Sequence, residues 1–372
     1  MEKYLGSDIK QLGFGLMRLP MIGEDVDIEQ TNKMVDLFMK NGFTYFDTAY
    51  VYINGKSECA AKTCLVDRYP RESFQLATKM PLWDLKGEEE LDKIFQEQLD
   101  RTGAGYFDFY LLHNLTSQSI DKVEEIDAFG WAMKKKAEGK IRHLGFSCHD
   151  KPDFIDRVLT KHPEAEFVQL QINYADWENE NVQSRGCYEM VRKHGKSVII
   201  MEPVKGGSLA VMADSVREVL TAADPKASPA SWAIRYAASL DGIVTVLSGM
   251  STMAQMEDNV SYMADFKPLS DSEQAVIAKA VERLNAIPQI ACTACKYCVD
   301  GCPQKINIPG IFSAYNGFKQ FNNKDGFKNR YKNTTKDGGV AGDCIQCGQC
   351  EEKCPQHLPI IEHLAEIAKV AE

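Results

Sequence analysis

No apolar run in this chain is long enough to cross a membrane, and its first ten residues (MEKYLGSDIK) lack the apolar core of a secretory signal. Excess positive charge is missing as well: 43 Lys and Arg against 53 Asp and Glu give a formal charge of −10. A chain of that sign offers no broad face to a phosphate backbone, which argues against nucleic acid as a partner. A disulfide framework is also absent, because Cys59, Cys64, Cys148 and Cys187 are scattered without pattern. Together these absences predict a cytoplasmic protein in a reducing compartment. The chain has no GxGxxG turn after an early apolar run, so the main mark of a doubly wound dinucleotide-binding sheet is lacking.

The remaining eight of 12 cysteines are concentrated in two copies of one pattern. The first is Cys292-x-x-Cys295-x-x-Cys298-x-x-x-Cys302-Pro303; the second is Cys344-x-x-Cys347-x-x-Cys350-x-x-x-Cys354-Pro355. Structural zinc also uses CxxC pairs, but four ligands complete a zinc site and a third closely spaced thiol has no role there. The pattern resembles the ligand run of bacterial two-cluster ferredoxins, in which each fourth cysteine completes the other cluster. That implies two [4Fe-4S] clusters. One would sit on Cys292, Cys295, Cys298 and Cys354, the other on Cys344, Cys347, Cys350 and Cys302.

At 372 residues, 44% of them hydrophobic, the chain is long enough for a large domain with an appendage. Eight short apolar runs, at 12–17, 43–47, 74–78, 107–112, 143–147, 167–171, 197–201 and 242–248, alternate with amphipathic stretches such as 31–40, 91–99, 129–136, 187–193 and 230–238. Near-continuous apolar runs are what parallel strands covered on both faces require. The fold class they predict is α/β: a (β/α)8 TIM barrel over residues 1–285. A helical stretch at 271–284 leads into the cysteine-rich residues 286–372. Their 41-residue spacer at 303–343 is longer than compact βαβ ferredoxins use. A small, mainly helical dicluster domain is therefore expected, with helices near 311–318 and 360–370.

Barrel active sites lie at the C-terminal ends of the strands. Asp47, Lys79, His113 and Ser147 stand there, with Tyr52 in the loop beyond Asp47. A carbonyl accepts hydride if a nearby acid protonates the developing alkoxide. Tyrosine is a weak acid at its usual pKa of about 10, but a close ammonium favours the phenolate, and a carboxylate holds that ammonium in place. Trp83 and Trp177 are candidates for the walls of an apolar mouth.

Several segments now combine: Asp47-Thr48-Ala49-Tyr50-Val51-Tyr52 with Gly55-Lys56-Ser57-Glu58, then Ala77-Thr78-Lys79, Leu111-Leu112-His113 and Ile141-Arg142-His143-Leu144-Gly145-Phe146-Ser147. In these, residues 1 to about 285 resemble the aldo-keto reductases. The resemblance implies hydride transfer between NADH or NADPH and an aldehyde or ketone, with Tyr52 as acid, Lys79 and Asp47 tuning it, and His113 orienting the carbonyl. It further implies that Ser147 and Gln169 hold the nicotinamide carboxamide. Pro203, Val204, Gly206 and Gly207 would clamp the pyrophosphate; Gly249, Gln255, Asp258 and Asn259 would meet the adenosine end. Three departures stand out. Met201 replaces the aromatic residue that stacks on nicotinamide, and Cys148 stands in place of Asn. Gly249 and Gln255 replace the cations that grip a 2′-phosphate, which implies no strong preference for NADPH.

Hydride transfer moves two electrons, whereas a [4Fe-4S] cluster carries one. Three readings follow. The clusters are structural and shape the substrate site of a carbonyl reductase; or they exchange electrons with an external ferredoxin or flavoprotein, with a flavin splitting the pair although no flavin motif is visible; or a non-enzymatic barrel senses nicotinamide while the clusters report redox state. An intact Asp47, Tyr52, Lys79 and His113 set argues against the sensor, which has no need of a tuned acid.

Overall fold

A computed structural model describes residues 5–371 apart from 7, 84, 86 and 300. Contacts divide the chain into two compact units, Met1–Val204 with Ala230–Ser272, and Lys205–Pro229 with Glu273–Glu372.

The barrel of the first unit is built from eight strands: β1 (Leu12–Gly15), β2 (Tyr45–Asp47), β3 (Gln75–Pro81), β4 (Phe107–Leu115), β5 (Ile141–Cys148), β6 (Phe167–Gln171), β7 (Ser197–Met201) and β8 (Ile243–Ser248). They form a closed, all-parallel barrel in chain order, with β1 paired to both β2 and β8. All eight expected strands are present. Alternation along them sorts side chains into two layers. Phe46, Leu76, Tyr110, Phe146, Val168, Val198 and Val246 point outward into the cluster shared with the helices. Tyr45, Ala77, Phe109, Phe167, Ile199 and Val244 point inward and fill the barrel, with Leu5 and Ile9 packed against them.

The same period of two decides what lies above that inner layer. Two residues beyond Tyr45, Ala77 and Phe167 come Asp47, Lys79 and Gln169, so polar groups occupy the next interior layer toward the C-terminal mouth. Strands β3 and β4 are longer than their apolar runs. They continue in register through Lys79↔Leu111 to Pro81↔His113, which puts Lys79 and His113 inside strands rather than after them. The physical reason is that Lys79, fully buried, meets a counter-charge within the barrel and so does not end the strand.

The second unit carries the cysteines and is helical, as expected. Its main elements are Ile308–Phe321, Lys324–Thr334 and Ile360–Ala371. The first two start on asparagine caps: Asn307 accepts from Gly310 N and Asn323 from Gly326 N. Ile306, Ile308, Ile311, Phe312, Tyr315, Phe327, Ile360, Leu364 and Ile367 form its core. Segment 205–229 packs within this unit; Asn323 Nδ2 donates to Ser208 Oγ at 3.2 Å, and Lys205 Nζ lies 5.7 Å from the Phe321 ring centre.

The doubled cysteine run is a doubled backbone. Residues 294, 296 and 305 have positive φ, and so do 346, 348 and 357, each 52 positions later. Lys305 N donates to Cys302 O and His357 N to Cys354 O, both at 3.0 Å; Ile308 N and Ile360 N each donate two residues back at 2.9 Å. The repeat therefore extends from the ligand loops into the helices beginning at Ile308 and Ile360.

Candidate active site and cluster-binding loops

Asp47, at the end of β2, and Lys79, in β3, face each other across the barrel interior. Lys79 Nζ donates to Asp47 Oδ1 at 2.6 Å and to Thr48 O at 2.7 Å. Gln169 Nε2, from the far side of the barrel, donates to Asp47 Oδ2 at 3.2 Å. Burial works against the Lys79 ammonium, yet Asp47 and Tyr52 together raise its pKa, so it stays charged. Burial pushes the Asp47 carboxyl up, with Lys79 and Gln169 pulling against it.

Tyr52 lies over this pair, with its ring centre 4.9 Å from Lys79 Nζ. Residues 53, 54 and 55 follow with φ of 51°, 54° and 84°. Ile53 is β-branched, so its left-handed backbone carries strain on the order of 1–3 kcal/mol, held by the surrounding structure. The Tyr52 pKa is raised rather than lowered: burial outweighs the pull of Lys79, and the charges of Asp47 and Glu202 add to it. The phenol is thus protonated at neutral pH, and Lys79 limits a penalty set mainly by desolvation.

His113 completes the group. Its ring centre is 6.1 Å from that of Tyr52 and 5.3 Å from that of Trp83. Nδ1 is buried without a partner, whereas Nε2 is not sealed in. Burial first, then the charges of Lys79 and His149, push its pKa down to about 3. The imidazole is neutral at physiological pH and serves as a hydrogen-bonding group rather than a proton source.

Behind the site, Glu58 is fully buried and accepts from Thr78 Oγ1 at 2.8 Å and Gln98 Nε2 at 3.0 Å, with Arg101 at 3.3 Å from its other oxygen. This network holds β3 from outside the barrel while Lys79 is gripped from inside. Sequence reasoning missed three contributors. Asn173 is fully buried and donates to Glu202 O at 3.2 Å, ordering the residue after β7, and the Glu202 charge reaches Tyr52. Arg18 crosses Gly249, as described below. An asparagine or an arginine in a loop carries no periodic signal that would have marked it.

The candidate cofactor residues are placed unevenly. Ser147 and Gln169 are buried on paired positions of β5 and β6, and Ser147 Oγ accepts from Asn114 N at 2.8 Å, leaving its hydroxyl proton to donate. Met201 ends β7 beside Gln171. Pro203 is buried; Lys205, Gly206 and Gly207 have φ of 50°, 62° and 94°, an arrangement that turns backbone N–H groups toward one side. Gly249 opens the loop after β8. Gln255 Oε1 accepts from Ser251 N at 2.7 Å. Asn259 is buried, donating to Ser248 Oγ and accepting from Tyr262 Oη, both at 2.6 Å, so its amide braces β8. Burial raises the Tyr262 pKa, and the charge of Asp258, one residue earlier on the same helix, adds to it. Cys148 is buried, and burial pushes its thiol up to about 12, which fits a small core residue and not a reactive thiolate. Trp83 is half exposed beside His113, whereas Trp177 packs between Tyr188 and Tyr236.

In the second unit the eight cysteines ring two cavities. One is lined by Cys292, Cys295, Cys298 and Cys354, the other by Cys302, Cys344, Cys347 and Cys350. Each run therefore sends its fourth thiol to the other's cavity. Among the described residues no three His, Cys, Asp or Glu side chains converge on one point as a single ion requires. The cavities enclose about 320 and 330 Å³, counting the part open to solvent. Four separated thiols around such a space suit a multi-atom cluster. Ile308 borders both cavities, with Phe312 and Ile360 on the first and Leu364 on the second, the dry apolar wall that tunes a cluster's potential.

Among the described residues no helix is long and apolar enough to cross a membrane. Comparison with known proteins agrees with this geometry. A model of the aldo/keto reductase family matches residues 11–282, and one of a 4Fe-4S dicluster domain matches residues 291–358. An L-galactose dehydrogenase of Arabidopsis thaliana is 24% identical over 291 residues, spanning 73% of this chain and 89% of that protein. An aldo-keto reductase of Bacillus halodurans, in its holo form, superposes with a TM-score of 0.61 at 25% identity, covering 75% of this chain and 95% of its own. One from Klebsiella pneumoniae in complex with NADPH gives a TM-score of 0.58 at 19% identity over the same share of each chain, a likeness of fold. The chain belongs to the aldo/keto reductase family, its barrel followed by a 4Fe-4S dicluster domain.

Proposed function

We propose that this enzyme interconverts an aldehyde or ketone and the corresponding alcohol, and that the observation carrying the reading is the buried Lys79–Asp47 pair beneath Tyr52, with neutral His113 beside it. A nicotinamide dinucleotide supplies or receives the hydride when bound. Tyr52 Oη gives its proton to the carbonyl oxygen as negative charge develops there. Lys79 stabilises the resulting phenolate, and Asp47 keeps the ammonium in place. His113, through Nε2, orients the carbonyl. Ser147 and Gln169 would hold the carboxamide; Pro203, Val204, Gly206 and Gly207 the pyrophosphate; Gly249, Gln255 and Asp258 the adenosine end. Trp83 forms an aromatic wall next to His113, a fit for a substrate with an apolar part. Replacing Tyr52 with Phe should lower kcat by about 10²- to 10⁴-fold while dinucleotide affinity stays within a factor of a few; retained turnover would rule out Tyr52 as the acid.

A second reading concerns the clusters. They supply single-electron storage when bound. Cys295 and Cys347 are exposed, and so are the neighbouring Tyr297 and Ile345. Cluster rims that reach solvent favour electron exchange with an external ferredoxin or flavoprotein. Anaerobic addition of NADH or NADPH, followed by the cluster absorbance, separates the two roles. Near-stoichiometric bleaching would refute a purely structural dicluster domain, and unchanged absorbance would refute exchange with the nicotinamide site.

A further inference from the structure

The loop after β8 carries no cation of its own at Gly249 or Gln255, which by itself argues for NADH. The structure lays a cation against it from elsewhere. Arg18 closes the short turn Leu16–Arg18 that follows β1. A Cβ added to Gly249 would stand 3.4 Å from Arg18 Cδ, 3.5 Å from its Cβ and 3.6 Å from its Cγ. The arginine stem thus lies alongside the bare backbone of Gly249, in van der Waals contact with the position a Cβ would take, so a longer side chain there would meet it. Its position is fixed from the same loop: Ser251 Oγ donates to Arg18 O at 2.7 Å, and Ser251 N donates to Gln255 Oε1 at 2.7 Å. Arg18 is exposed, and among the described residues its guanidinium has no hydrogen-bond or ion-pair partner. A long cationic side chain held at its base and unpaired at its tip is poised to meet an anion.

In barrels of this kind the loops after the seventh and eighth strands bind phosphate. We propose that Arg18 is the specificity determinant for the 2′-phosphate of NADPH, delivered from the β1 turn across Gly249. A small residue at 249 then leaves the path of the arginine open. A guanidinium offers paired N–H donors that match phosphate oxygens. The inference rests on the reading above, that a nicotinamide dinucleotide occupies this mouth of the barrel.

The test is a pair of binding titrations, NADPH and NADH, on the anaerobically purified enzyme with its clusters in place. Three proteins are compared: the wild type, Arg18→Met, which keeps the stem and drops the charge, and Gly249→Leu, which keeps Arg18 but fills its path. The wild type should bind NADPH at least tenfold more tightly than NADH. Both variants should lose about tenfold or more of that ratio, mostly through weaker NADPH binding. Equal losses for both dinucleotides, or an unchanged ratio in Arg18→Met, overturn the role of Arg18 and leave the dinucleotide reading intact. Failure of the wild type to bind either dinucleotide sinks both.

Discussion

In the first unit Lys79, with no exposed surface, finds its counter-charge in Asp47 at 2.6 Å, and Asp47 in turn is held by Gln169. In the second unit Cys298 and Cys350 are also buried, yet among the described residues none of the eight thiols around the two cavities hydrogen-bonds another side chain. The barrel satisfies the charges of Lys79 and Asp47 with one another, so that pair is organised before anything binds, as electrostatic preorganisation requires. The cysteine unit instead lines two cavities with its thiols, the arrangement that a bound cluster would complete. Their cores differ accordingly. The barrel buries two concentric apolar layers, whereas the second unit's core is a shorter set, mainly isoleucines and aromatics, drawn from its three main helices and the segments between them. Where ligands order around a bound group, the free energy of binding that group becomes free energy of folding.

The largest expected effect breaks that comparison directly. Removing iron with a chelator under anaerobic conditions should abolish amide-exchange protection in Ile308–Phe321 and Ile360–Ala371 and leave β3 and β4 protected. Equal protection in the stripped protein would mean that the second core stands alone. Next, the crossed cavities predict non-additive pairs. Cys292→Ser with Cys354→Ser touches one cavity and should cost one cluster, whereas Cys344→Ser with Cys354→Ser touches both and should cost two. Iron and sulfide analysis decides, and the opposite ranking would restore uncrossed ligation. In the barrel, Lys79→Met leaves the Asp47 carboxylate buried and unpaired. The expected loss is about 3–5 kcal/mol of stability, read by denaturant unfolding, together with most of the turnover. A loss under about 1 kcal/mol would mean that the pair is dispensable to the preorganised site.

How much of this could be read in the sequence follows from the same contrast. Barrel strands announce themselves because both faces are apolar, and all eight runs are strands. The cysteine pattern announces itself because spacing is itself the chemistry. Lys79 and His113 were legible as strand-end residues but not as strand members, since a charge in an apolar run reads as a stop until its partner, 32 residues away, is known. The upward pKa of Tyr52 was illegible for a related reason: sequence shows the ammonium nearby but not the desolvation that outweighs it. Asn173, Glu202 and Arg18 act through loop geometry, which has no period. The 52-residue repeat of the second unit extends past its cysteines as matching left-handed residues and helix starts, yet most side chains differ between the copies. Past the ligands, Pro303/Pro355, Gln304/Gln356 and Ile308/Ile360 match at that spacing, too few to mark the shared backbone.

The smallest expected effect separates the units by pH. Burial holds the His113 pKa down to about 3 in the folded barrel, against about 6.5 in the unfolded chain. Between those values the unfolded state binds one proton more than the native state. Stability therefore rises with pH across this window and falls as the solution is acidified below about 6.5. One proton contributes at most about 1.4 kcal/mol per pH unit, and above pH 6.5 the contribution is flat. Replacing His113 with Asn should remove that part of the slope, measured by denaturant unfolding from pH 4.5 to 7.5, values chosen inside and above the window. Because His113 lies in the first unit, the slope should persist in protein stripped of its clusters. A slope that vanishes with the iron would assign it to the cysteine unit, and an unchanged slope in His113→Asn would show that the imidazole is not held neutral by burial.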